Sequence, residues 1–121
     1  MSMHTRSQKL AQAAFPCIQD RKNGLSEKEF DEYQSFAKKF PALIHTCGLA
    51  QAVAFALAKT GYIEDLAVVL NGSGHPEISS AQTFHEQTRT LQLSGYLRLS
   101  RDAINAAGWL KRYVEAAGEG D

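Results

Sequence analysis

One segment of the chain, residues 41–59, is apolar at almost every position. It begins with a proline, which suits the first turn of a helix, and Gly61 follows it as a stop signal. Its longest apolar stretch, residues 47–58, has about 12 residues and includes Gln51, which is too short to cross a bilayer. A helix that is apolar all round must be enclosed by other elements. We therefore predict that residues 41–59 form the central helix of a bundle.

The composition indicates that the surrounding elements are helices as well. The chain has 17 alanines and 12 leucines but only 4 valines and 5 isoleucines. This balance favours helix over sheet. A length of 121 residues suits one domain of ordinary size. The predicted fold is all-α, a single compact helical bundle of about five to six helices that occupies residues 1–121.

The apolar spacing predicts two helices before the central one. The first covers residues 5–22, and we expect Pro16 to kink it because proline removes a backbone donor. The second begins at a capping box formed by Ser26 and Glu29, and it should end where Pro41 begins the next helix.

Three further helices and one loop are predicted after the central segment. A short helix covers residues 62–70, and residues 71–76 form a Gly- and Pro-rich loop that we expect to be flexible. A polar helix over residues 79–92 begins at a serine cap. The last helix, over residues 94–117, is the longest, and Gly95 marks a bend at its start.

No arrangement of residues in the sequence predicts an active site. His45 and Cys47 are two positions apart on a helix and therefore cannot face the same ligand, so we predict no metal site. His75 and His85 each lie close to a glutamate, but no positioned partner accompanies either one. The two cysteines form no disulfide pattern and no apolar leader opens the sequence, so we expect a reduced, cytoplasmic protein outside the membrane. We also expect no cofactor.

The charges balance overall but are unevenly distributed. The chain has 13 Lys and Arg residues against 13 Asp and Glu residues. Residues 1–25 and residues 98–114 each carry a net charge of +3, whereas residues 26–97 carry −3. Two basic segments in a neutral protein are compatible with a local basic patch.

The last helix separates its apolar and basic residues onto opposite faces. At 100° per residue the apolar side chains fall on one side, and the other side collects Arg98, Arg101, Asn105 and Arg112. Gly108 and Trp109 lie at the edges of that second side. Guanidinium groups with a flanking indole suit a phosphate-rich ligand. The same pattern also fits an ordinary solvated helix face, and spacing alone leaves both interpretations open.

Three segments of the chain resemble a known family. FPALIHTCGLAQAVAFALAK (40–59), YLRLSRDAINAAGWLKRYVEA (96–116) and RSQKLAQAAF (6–15) resemble the small helical subunit of the type III-B CRISPR RNA-guided effector, the Cmr complex. The segments occur in the family's order and make up about half of the chain.

The resemblance implies a non-catalytic, RNA-binding structural subunit of an antiviral complex. Its implied partners are the repeated backbone subunit, the large subunit, the guide RNA, the target RNA and stacked copies of the same chain. Its implied role is to contact phosphates along the guide–target duplex, whose base pairing supplies specificity. The basic residues that would do so are Arg6, Lys9, Lys59, Arg98, Arg101, Lys111 and Arg112.

Two other functions remain open from the sequence. One is a helical adaptor or dimerisation module without a nucleic-acid role, whose arginines face solvent. The other is a small metal-assisted hydrolase that uses His75 or His85. A continuous basic strip that joins the first and last helices favours RNA, scattered charge favours the adaptor, and a carboxylate–histidine cleft favours the enzyme.

Overall fold

Six α-helices make up the part of the chain described in a computed structural model, residues 5–59 and 61–119. No strand occurs in these residues, so the predicted all-α fold with five to six helices is confirmed. The helices are α1 (Arg6–Gly24), α2 (Glu27–Cys47), α3 (Leu49–Ala56), α4 (Tyr62–Gly72), α5 (Ala81–Thr90) and α6 (Leu93–Glu119).

Side-chain caps set the beginnings of three helices. The predicted capping box of α2 is confirmed, because Ser26 accepts from the Glu29 amide and Glu29 accepts from the Ser26 amide. The hydrogen bond from the Ser26 backbone lowers the pKa of Glu29. Thr5 caps α1 and Ser80 caps α5 in the same reciprocal way. These caps satisfy amides that lack partners within their helices.

The prediction that Pro41 begins a new helix is wrong. The α2 helix continues through Pro41 to Cys47, and the chain turns instead at Gly48, which has a φ of 84°. Proline inside a helix removes one backbone donor, whereas a positive φ is a conformation that glycine adopts readily. The α1 helix likewise contains a proline, Pro16, and continues past it without interruption.

The predicted central helix over residues 41–59 is therefore two pieces, and it is not enclosed on all sides. Leu49 is buried, but Phe55 is 53% exposed and Leu57 is 39% exposed. The enclosed position belongs to α4, in which seven of 11 residues are buried. A buried cluster secures α4, since Asp65 accepts hydrogen bonds from Arg21 of α1 and from the hydroxyl of Tyr33 of α2.

The later helices agree with the sequence prediction within a few residues. The long α6 helix includes Gly95 without a break and packs against α1, α2 and α4. The segment predicted as a flexible loop is held to the end of α4, because the side-chain amide of Asn71 donates to the carbonyls of Pro76 and Ile78. His75 and Ile78 are buried there. Within the described residues, no helix has the length and apolar character that a membrane crossing requires.

Candidate functional site

The two faces of α6 differ as predicted. Ala103, Ala107, Leu110 and Val114 are buried in the core. The opposite face is exposed to solvent, and it carries Arg98, Arg101, Asn105 and Arg112, with Lys111 half-buried beside them. Since the apolar face of α6 fixes the helix against α1 and α2, the basic face has a defined orientation.

A buried carboxylate, Asp102, collects three arginines from two helices. Arg6 of α1 places its Nη1 3.6 Å from Asp102 Oδ1, and Arg101 places its Nε 3.8 Å from the same oxygen. Arg98 Nε lies 4.0 Å from Asp102 Oδ2. The Asp102 side chain is only 9% exposed, whereas the three arginine side chains are 58–64% exposed. Three cations around one anion leave an excess of positive charge on this surface.

His75 holds the same carboxylate from the protein side. Its Nε2 lies 2.7 Å from Asp102 Oδ2, and its Nδ1 lies 3.3 Å from Glu77 Oε1. The imidazole is buried, so it fixes the position of Asp102 beneath the arginines. Asp102 Oδ1 is buried and accepts no hydrogen bond from the described residues, which leaves it to the two guanidinium groups nearby.

This histidine–carboxylate pair is buried and does not form an open cleft of the kind that would favour the enzyme alternative. Both side chains are less than a tenth exposed, and neither lines the cavity beside α6 described next. Across the described ranges, no three His, Cys, Asp or Glu side chains are grouped in a way that fits a metal ion.

A cavity of about 590 Å³ lies beside the basic face of α6. The start of α1 lines it with Arg6 and Ser7, and Pro41 of α2 closes another side. From α6, Lys111 and Arg112 contribute two further cations. Arg6 belongs both to this cavity and to the cluster around Asp102, so it joins the two.

An aromatic and cationic pair lies at the cavity. The guanidinium carbon of Arg112 lies 4.9 Å from the centre of the Trp109 ring. Tyr113 packs against Trp109 at 5.9 Å between ring centres, and Phe15 of α1 packs edge-on against Tyr113 at 5.3 Å. This row of rings ties the indole to α1 and supports its position.

The structure thus brings together five of the seven predicted residues. We call them the basic surface: Arg6, Arg98, Arg101, Lys111 and Arg112. Lys9 is exposed one turn further along α1 from Arg6. Lys59 is placed elsewhere, since its ammonium lies 4.9 Å from the Phe55 ring centre and it lines a separate groove of about 610 Å³ with Phe36 and Phe55.

Sequence reasoning missed the buried support and the cavity. Asp102 was visible as the one acidic residue within the basic segment 98–114, which is a signal for a shared counter-ion. The contact of His75 with Asp102 joins residues 27 positions apart, and no local pattern reveals it. The sequence did not predict that Pro41 lines the cavity, because this residue was interpreted as the start of a helix.

The comparisons with known proteins agree with one another. Residues 6–117 match the family described as CRISPR-associated protein (Cas_Cmr5). A protein described as CRISPR system Cmr subunit Cmr5, from Thermus thermophilus, is 35% identical over 119 residues, which cover 94% of this chain and 96% of that protein. The crystal structure of a CRISPR-associated Cmr5 family protein from the same organism matches with a TM-score of 0.81 and 33% identity, over 94% of this chain and 97% of that one.

Proposed function

The chain belongs to the Cmr5 family, and from this membership we propose that it is a non-catalytic RNA-binding subunit of a type III-B CRISPR effector, the Cmr complex. In this role copies of the chain stack beside the repeated backbone subunit, and the large subunit is a further partner. The stacked copies line the path of the guide and target RNA in the cytoplasm. The chain contributes phosphate contacts, and base pairing with the guide supplies specificity.

The observation that carries this proposal is the convergence of the basic surface. Its cations come from the start of α1 and from α6, which are separated by most of the sequence, and they meet around Asp102 and the neighbouring cavity. A continuous basic strip that joins the first and last helices favours an RNA-binding function. Scattered charges on a solvated face would favour the adaptor.

The arginines keep most of their hydrogen-bonding capacity for a ligand. Their separations from Asp102 are 3.6–4.0 Å, longer than those of a close charge-assisted hydrogen bond. Each guanidinium has five N–H donors, and more than half of each arginine side chain faces solvent. The carboxylate therefore orients the arginines without saturating them, and phosphate oxygens can accept the remaining donors.

One observation, made on a groove separate from the basic surface, favours the adaptor alternative. The groove around Phe36 and Phe55 is largely apolar, and Phe55 is 53% exposed. Such a groove suits contact with protein more than contact with phosphate. It is compatible with the proposed assembly, so only the basic surface distinguishes the two functions.

The test compares two charge-matched triple variants in the complex reconstituted with guide RNA. The first replaces Arg98, Arg101 and Arg112 by alanine. The control replaces three exposed cations of α2 and α5 by alanine: Lys28, Lys38 and Arg89. Both remove the same net charge, so only the location of the lost charge differs.

We expect the first variant to weaken target RNA binding about equally for unrelated sequences. The slope of log affinity against log salt concentration should become shallower, by an amount that corresponds to the loss of up to roughly three phosphate contacts. Unchanged affinity and salt dependence, or equal losses in the control, would mean that the three arginines face solvent and do not contact RNA. Either result would favour the adaptor. A loss confined to particular target sequences would show that bases are read.

A further inference from the structure

The cavity beside α6 is lined by both charged and apolar residues. Arg6 of α1 and Lys111 of α6 supply cations. Apolar walls come from Leu10, Pro41 and Ile104. Charge for a phosphate and apolar surface for a flat ring thus occur in one space. Its volume of about 590 Å³ lies within the range of about 300–1,000 Å³ typical of small-molecule sites.

One stripe of α6 supplies groups that can hold a base. Asn105, Gly108, Trp109 and Arg112 follow the i, i+3, i+4, i+7 spacing and therefore lie on one side of the helix. All four line the cavity. Aromatic rings and guanidinium planes both stack on bases, and an amide offers a donor and an acceptor to a base edge.

Gly108 is unexplained by packing. Glycine inside a helix is destabilising relative to alanine. A Cβ built at this position would meet only Arg112 Nη1, at 3.7 Å, which is an ordinary contact. The fold therefore does not need a glycine here, whereas any side chain at position 108, which lines the cavity, would occupy part of the cavity volume.

We propose that this cavity takes one unpaired nucleotide unit of the bound RNA, with its base stacked at Trp109 and Arg112 and its phosphate at Arg6 and Lys111. The inference rests on the proposed function and goes beyond phosphate contacts. Stacking accepts any base because every base has a π face, so the site adds affinity without reading sequence. Glu115 also lines the cavity, but its one carboxylate is outnumbered by the cations Arg6, Lys111 and Arg112, so the lining keeps a net positive charge.

Trp109 makes the site directly observable, because it is the only tryptophan in the chain. The experiment titrates the full-length chain at low salt with an oligoribonucleotide and with an abasic ribose-phosphate oligomer of equal length. We expect the oligoribonucleotide to change Trp109 fluorescence and to bind at least roughly five-fold more tightly than the abasic oligomer. Unrelated base sequences should behave alike.

Variants at position 108 separate the cavity from the phosphate contacts. Gly108→Leu should fill the space for the base and remove the preference for the oligoribonucleotide over the abasic oligomer, while Tm stays the same or rises. Gly108→Ala is a milder version for the case in which leucine disturbs the fold. The control Arg98→Ala, outside the cavity, should weaken both oligomers equally.

Equal binding of the two oligomers with no change in fluorescence would overturn the nucleotide site and leave the proposed phosphate contacts intact. A preference that survives in both Gly108 variants would also overturn it. If neither oligomer binds at low salt, the nucleotide site is wrong, and the triple-arginine experiment in the complex still decides the proposed function.

Discussion

At the scale of single residues, the pair His75 and Asp102 supports the basic surface from below. Replacement of His75 by alanine would leave Asp102 Oδ2 without its 2.7 Å partner in a buried place. An unsatisfied buried acceptor costs about 1–3 kcal/mol. We therefore expect His75→Ala to lower the free energy of unfolding by that amount, measured by urea denaturation. His85→Ala, at a half-buried histidine of α5, is the control and should have a smaller effect. Equal losses in the two variants would contradict the supporting role.

Cys17 provides a second residue-scale prediction, which concerns alkaline pH. Burial and, to a smaller extent, the charge of Asp65 together raise the pKa of its thiol from the ordinary value of 9.0 to about 11. The raised pKa means that folding favours the neutral thiol. Its contribution to stability is therefore complete below pH 9 and is lost as the pH rises toward 11.

Unfolding midpoints from about pH 7 to about pH 10.5, a range that spans the ordinary thiol pKa of 9.0, measure this loss in the chain and in Cys17→Ala. The unaltered chain should lose more stability than the variant over the upper part of the range. In a Cys47→Ser background, Cys17 should also be alkylated more slowly than glutathione at pH 8, where little thiolate is present. Alkylation at the rate of glutathione would show that the thiol is not shielded.

At the scale of helices, predictability depended on whether the signal was local. The Ser26–Glu29 capping box and the opposite faces of α6 follow from spacing within one element, and both were predicted correctly. Pro41 and Gly48 are both residues at which a helix can end, and the chain turns at Gly48. Packing between helices decides between the two positions, and local sequence does not show that packing. Burial of α3 was overestimated because hydropathy shows which side chains avoid water but not which neighbours are present to cover them.

The corrected position of α3 predicts unequal effects of two truncations. Leu49 is 1% exposed and belongs to the core, so Leu49→Ala should cost about 2–5 kcal/mol. Phe55 is 53% exposed, and Phe55→Ala should cost less than about 1 kcal/mol. Thermal or urea unfolding of both variants measures the difference. Similar losses at the two sites would mean that α3 is enclosed after all.

At the scale of the whole molecule, the candidate site is an assembly of distant parts. Its α6 half was predictable because Arg98, Arg101 and Arg112 share one amphipathic helix. The assignment of Arg6 came from the family resemblance, since the net charge of +3 on residues 1–25 was compatible with a basic patch but did not show which residue of α1 lies against α6. Lys59 shows the limit of such a transfer, because it follows the central motif in sequence but lies beside Phe55 in a separate groove.

The same view of the molecule predicts how the free chain behaves. Copies that stack beside a preformed backbone gain avidity, since a second contact to an already tethered partner is effectively intramolecular. Free chains lack that advantage, and they also carry a basic surface with an excess of cations that repels a like surface. We therefore expect the isolated chain to be monomeric or weakly self-associating in sedimentation velocity experiments. Addition of the backbone subunit loaded with guide RNA should convert it to a larger complex. A tight oligomer of the free chain that persists at high salt would instead indicate a self-contained dimerisation surface, and it would favour the adaptor function over the filament.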